Sequence, residues 1–399
     1  MTSLSLFFGR SHSRPTAESF LVADRRIPFA IGIASLTANW VQAPALLVSG
    51  ALAYQSPYHF LAFAIPNVFA LFLMGLLAPR IQRALPGGYT VPQFMGHVFG
   101  PAVRTLFFIS AVGALSFAVG YTFTGLRQWF TQQLGVQPWQ VAIALGCIAC
   151  LWVIWRGLPN AVISDVGKVV LIGIGAVGAV GLSTSMQLPV MNLPAPGDVD
   201  PIWIFWALGV PFAASLIGGP ICNPDLGERA YAVDGRIVRK AYFSAAMLFA
   251  VVLVAFGSLG FLARFLGMKL AAGQLPAFAV LQALTPTWMV FAVTIGLILI
   301  FASALASVLA STGDLFGIEV YRRFIKPSAS GDEVIWWSRG FMLVPIVIGT
   351  YLASLEKVDL SVIIQSLAVV RGEAIVPIIL AVFWPIPALR GYEIGRAHV

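Results

Sequence analysis

The chain has 399 residues, 59% of them hydrophobic and 10% charged, with a mean hydropathy of +0.89; this excludes a soluble globular domain and points to an integral membrane protein. Three cysteines exclude a disulfide scaffold, and four scattered histidines offer no metal cluster. The net charge of +8 does not point to nucleic acid, because the basic residues lie in loops between apolar segments, where they act as orientation signals.

Crossing the hydrocarbon core takes about 20 helical residues. Segments of that length occur at 29–54, 58–78, 104–126, 137–155, 161–183, 201–222, 241–263, 285–313, 334–355 and 361–384. The predicted fold class is therefore an all-α membrane protein of about ten transmembrane helices. Arg10, Arg14, Arg25 and Arg26 precede the first span, and Arg80, Arg83, Arg104, Arg156, Arg229, Arg236, Arg239, Lys240, Arg322, Arg323 and Lys326 follow even-numbered spans. The opposite loops hold only Arg127, Arg264, Lys269 and Lys357. The positive-inside rule then starts the first span in the cytoplasm and returns the even spans to it. Cys147 and Cys150 form a CxxC inside an apolar segment and read as packing residues.

Ten spans invite division into two inverted halves of five, an arrangement that places a transport site where the first helix of each half is broken. The first span reads ANWVQAPALLVSG, with Pro44 at mid-depth; the sixth reads WALGVPFAASLIGGP, with Gly209 and Pro211 at mid-depth. Proline removes a backbone donor and clashes with the carbonyl one turn earlier. Breaks are thus expected near residues 44 and 211, with freed carbonyls lining a cavity; the alternative is an ordinary proline kink. Trp40, Gln42, Trp206 and Gly209 beside these positions are candidate substrate contacts.

Several stretches together resemble the sodium:solute symporter family: FLVADRRIP at 20–28, SLTANWVQAPALLVSGALAY at 35–54, GGYTVPQFMGHVFGPAVR at 87–104, GLPNAVISDVGK at 157–168, PDLGERAYAV at 224–233 and SALASVLASTGDLFGIEVYRRF at 303–324. The resemblance implies a LeuT-type inverted repeat working by alternating access and coupled to a cation gradient. It also implies a sodium site built from the carbonyls of Ala38, Val41 and Ile300 and a hydroxyl pair at positions 303 and 304. A hard cation needs such a shell of oxygens. Ser303 supplies one hydroxyl, but Ala304 departs from the pattern. Ser307 and Ser311, each four residues on, read as small residues for close helix packing.

A second departure is Lys168, where the family has glutamine, three residues after Asp165. An intramembrane lysine is costly and functional by default. Its ammonium is expected either to stand in for bound sodium, making coupling proton-based or absent, or to pair with Asp165 and snorkel to the inner interface. Arg371 and Glu373 in VVRGEAIVP are likewise unusual. Either Arg371 is a counter-ion for an anionic substrate or a gate element, or the two residues form a self-neutralising pair near the outer half of the helix. Asp225, Glu228 and Arg229 read as a structural salt-bridge network.

The expected organisation is a cytoplasmic segment 1–28, a first repeat 29–183, an external loop 184–200, a second repeat 201–389 and a non-native tail 390–399, whose EIGRAHV resembles a translated sequencing adapter. The chain would then be a gene fragment that retains a ten-helix core. The expected function is cation-coupled import of a small polar organic solute across the inner membrane, with sodium or a proton as coupling ion and no cofactor. The alternatives are a sodium-independent or proton-coupled carrier and the membrane core of a signalling sensor. The spans contain no HExxH, no GxSxG and no carboxylate pair suited to hydrolysis, so no enzyme is expected. Neither the solute nor the oligomeric state is legible from spacing.

Overall fold

The computed structural model describes residues 15–134, 137–185, 200–270 and 274–354, together with 371, 372, 376, 377 and 380. Every regular element among them is helical, and the one β-type pairing is an isolated bridge between Ile27 and Val233. In chain order the helices are α1 (Ala17–Val22), α2 (Phe29–Trp40), α3 (Ala43–Gln55), α4 (Pro57–Ala84), α5 (Val91–Phe99), α6 (Pro101–Leu134), α7 (Pro138–Val153) and α8 (Leu158–Ser185). There follow α9 (Pro201–Cys222), α10 (Pro224–Ala232), α11 (Val238–Phe265), α12 (Pro276–Leu284), α13 (Thr287–Phe316), α14 (Gly331–Phe341) and α15 (Val344–Ser354). Seven described helices are long and apolar enough to cross a membrane, or eight if the bent pair α2 and α3 is one span. The predicted span 361–384 falls almost wholly outside the described residues.

The first predicted break is present. Trp40 ends α2, Val41 and Gln42 leave helical geometry (ψ 83° and 178°), and α3 restarts with a proline in its first turn. The two halves differ in direction by 59°. Proline is tolerated at a helix start because the N–H it lacks would have no intrahelical partner there.

The second break is displaced from its expected place. At Gly209 and Pro211 the helix continues, because Phe205–Gly209 forms a π-helical turn whose wider ring absorbs the donor that Pro211 lacks. The interruption comes at Asn223, which is extended (φ −82°, ψ 109°). Pro224 follows it and disfavours the helical conformation of the residue before.

α11 is the central strut, packing against α2, α3, α4 and α8, while α13 packs against α7, α8 and α14. The approach of α3 to α11 is close enough that a Cβ on Gly260 would overlap the Gly50 carbonyl. Basic loops gather at one end. There Arg25 donates to the Gly88 carbonyl, Tyr89 donates to Glu18, Glu319 takes Arg104 at 2.8 Å, and Arg339 donates to the Ile154 carbonyl. At the other end Arg264 holds the Gln55 and Tyr54 carbonyls. The loops following the second, fourth and eighth predicted spans thus meet the N-terminal segment at one end.

Candidate functional site

The two breaks face each other. Gln42, in the first, donates from Nε2 to Oδ2 of Asp225, two residues past the second, at 3.2 Å. Trp40, the last residue of α2, donates its indole N–H to the Asn67 carbonyl on α4. Its ring lies 6.0 Å from the Arg371 guanidinium, which donates to Oδ1 of Asn223 at 2.8 Å. Trp40, Arg371, Asn223 and Gln42 therefore meet where both helices open. Gly219 allows this, since a Cβ there would stand 2.6 Å from the Trp40 ring. Glu373 lies outside the described residues.

Behind the breaks is a buried ionic centre. Asp165 on α8 accepts from Arg229 on α10 at 2.8 Å, with both side chains fully buried. The same carboxylate accepts from Ser35 Oγ (2.6 Å), Asn39 Nδ2 (2.7 Å) and Ser307 Oγ (3.2 Å). Arg229 also donates to Ser35 Oγ, to Ser307 Oγ and to the Asp225 carbonyl. Four helices, α2, α8, α10 and α13, contribute to one fully hydrogen-bonded pair, the condition for tolerating two charges away from water.

The serine stripe of α13 is polar machinery. Ser307 binds Asp165 and Arg229, and Ser311 donates to Glu228 Oε2 at 2.7 Å. This corrects the packing reading of both serines: hydroxyls every fourth residue on one helical face meet acids on α8 and α10.

Lys168 lies one turn from Asp165 on α8 and is 2% exposed. Its Nζ donates to the Ala38 carbonyl at 2.6 Å. Asp165 has Arg229 as its ion-pair partner, so the sequence alternative in which Lys168 pairs with Asp165 and reaches the interface does not describe this geometry. Ala38 is the carbonyl expected to ligate sodium. It lies within the last turn of α2, where carbonyls lack intrahelical partners.

The residues at this position do not fit a sodium ion. The Ala38 carbonyl already accepts an ammonium, Ser303 Oγ donates to Ser164 Oγ at 3.2 Å, and Ala304 brings no oxygen. Val41 and Ile300, the other expected carbonyl ligands, are buried.

Two candidate contacts stand elsewhere. Trp206 is 65% exposed and meets Phe205 edge-on, away from the polar centre. Gly209 lines an apolar groove of about 380 Å³ between α4 and α9, with Leu61, Ile65 and Phe205. Both assignments presumed a break at Pro211; with the break at Asn223, these positions fall in the N-terminal half of an intact helix.

Ser35, Asn39, Asn223 and Asp314 were missed by sequence reasoning. Ser35 and Asn39 are spaced i,i+4 in an otherwise apolar helix, the signal that could have paired them with Asp165.

No family model matches the chain. Among curated proteins it resembles Probable urea active transporter 3 of Schizosaccharomyces pombe, at 20% identity over 92% of this chain and 61% of that protein. Probable urea active transporter 2 of the same yeast is also 20% identical, over 80% of this chain and 52% of that protein. The chain thus spans only about half to three fifths of these relatives' length. A solved structure of a Na+-coupled sialic acid symporter, in a substrate-bound outward-open state, superposes with a TM-score of 0.73 at 16% identity, covering 96% of this chain and 87% of that one. The fold is that of this LeuT-like symporter. The proteins it resembles are transporters, not enzymes.

Proposed function

We propose that the chain is the core of a secondary transporter that imports a small polar organic solute by alternating access, in two repeats of five helices, with the fixed ammonium of Lys168 in place of bound sodium. The solute site is where the two breaks meet. Trp40 and Arg371 offer an aromatic face and a guanidinium there, and Gln42 and Asn223 offer amides. Import across an inner membrane is part of this reading, and the gathering of basic loops at one end supports placing that end in the cytoplasm.

The observation that carries the coupling reading is the 2.6 Å hydrogen bond from Lys168 Nζ to the Ala38 carbonyl. An ammonium at this carbonyl supplies the positive charge that a bound cation would bring, and it is covalently fixed. Uptake then needs no sodium, and the driving ion is a proton or none. A sodium-coupled reading is favoured by one observation, the Na+-coupled symporter whose fold matches 96% of the chain.

Uptake by the reconstituted full-length protein, tested with urea, amino acids, sugars and carboxylates under imposed sodium or proton gradients, separates these readings. Solute entry without sodium supports the first; strict sodium dependence supports the second. No entry of any solute, with correct folding verified, rejects the transporter reading.

A further inference from the structure

Four acidic and three basic side chains are buried together around α10: Asp165, Asp225, Glu228 and Asp314 against Lys168, Arg229 and Arg371. They form a continuous electrostatic set. Lys168 acts on Asp165 and Asp225, Arg371 on Asp225, and Arg229 on Asp225, Glu228 and Asp314. Among the described residues the set is short by one positive charge.

The shortage falls at one place. Asp165 has Arg229 and three further donors. Asp225 accepts from Gln42 and from the Leu226 N–H, and the charges of Arg371 and Lys168 act on it favourably. Glu228 and Asp314 are each 1% exposed. Ser311 serves one Glu228 oxygen, whereas Glu228 Oε1 and both Asp314 carboxylate oxygens are buried with no hydrogen-bond partner. Ser311 and Asp314 are spaced i,i+3 on α13, so the residue that holds Glu228 brings the Asp314 carboxyl onto the same face. Two like charges in such a place, without a counter-charge, cost several kcal/mol.

We propose that Glu228 and Asp314 hold one exchangeable proton in common, forming a buried proton-binding site between α10 and α13. The proton is taken up from hydronium in the bulk solvent, whose O–H bond breaks to leave water, and forms an O–H bond on one carboxylate. The resulting acid can donate to the other carboxylate, so the pair carries one negative charge and the set is balanced. Burial pushes the Glu228 carboxyl up to about 8, with Asp225 adding to the shift and the Ser311 hydroxyl and Arg229 opposing it. Several other charged groups near α10 and α13 have partners of their own. Glu18 pairs with Arg25, Glu319 with Arg104 and Arg323, and Lys326 with Glu333. Arg339 holds loop carbonyls; Arg80, Arg83 and His97 lie on α4 and α5. Because α10 begins at the second break and α13 carries Ser303, loss of this proton would act on the contact between those two elements.

The test is infrared difference spectroscopy of the full-length protein in liposomes, titrated with and without sodium, for wild type, Glu228→Gln and Asp314→Asn. Wild type is expected to show a protonated-carboxyl band at neutral pH, insensitive to sodium, that fades as pH rises. Either variant should lose it, since three acids then face three bases. Ser311→Ala, which keeps both carboxyls, should move the fading to higher pH because the ionised form loses a donor. No band in wild type, a band retained in both variants, or a band abolished by sodium would overturn the proposal. The readout does not involve solute movement, so its failure is distinct from failure of the transporter reading.

Discussion

Arg229 donates to Asp165 at 2.8 Å with no solvent exposure on either side chain. The pair ties the short helix after the second break to the helix that also carries Lys168. Truncating one member leaves the other charged and buried, which costs about 3–5 kcal/mol. Arg229→Met and Asp165→Asn are each expected to lower the thermal midpoint strongly. The double variant should lose less than the sum of the two, and a double-mutant cycle on purified protein measures that coupling.

Close approach of α3 and α11 gives a packing prediction. A Cβ on Gly260 has no room beside the Gly50 carbonyl, whereas one on Gly296 meets nothing within 4 Å. Gly260→Ala should destabilise by about 1–3 kcal/mol. Gly296→Ala, in the interior of α13, should be neutral or stabilising by about 0.5–1 kcal/mol. Thermal unfolding of the two variants side by side distinguishes local crowding from a general intolerance of larger residues.

Glu228 makes stability depend on pH in a defined direction. Its carboxyl is raised from the ordinary 4.5 to about 8, so the folded state binds this proton more tightly than the unfolded state. Its contribution is fully present below about 4.5 and is lost as pH rises through about 8. Glu228→Gln should flatten the fall in melting temperature over that window. An unchanged slope in the variant would assign the dependence to other groups.

Arg371, at the meeting of the two breaks, is expected to act on solute affinity. Losing one charge-assisted hydrogen bond costs about 1.5–3 kcal/mol. Arg371→Gln should therefore raise the concentration for half-maximal uptake at least about tenfold. Retained melting behaviour would confirm that the fold survives, and unaltered uptake would remove Arg371 from the site.

Much of the fold was legible because apolar length and basic loops are properties of the chain itself. The break after Trp40 was visible through Pro44, but the second was misplaced by about a dozen residues. A proline marks a missing donor without saying whether the helix opens or inserts a wider turn. Here the turn at Phe205–Gly209 absorbs Pro211, and the opening comes at Asn223. That displacement left Trp206 and Gly209 outside the centre and hid Asn223. Lys168 stood out as an unusual charge, but its partner did not, because Ala38 contributes a main-chain oxygen that any residue possesses. The Glu228 and Asp314 pair was invisible for another reason: its members are 86 residues apart and meet only through the packing of α10 on α13.

The most direct test of the account is solute uptake by the reconstituted full-length protein with and without sodium, for wild type and Lys168→Gln. With the ammonium at the Ala38 carbonyl as the resident cation, wild type should transport without sodium, and Lys168→Gln should be inactive or become sodium-stimulated. Sodium-dependent uptake by wild type that Lys168→Gln leaves unaltered would contradict it.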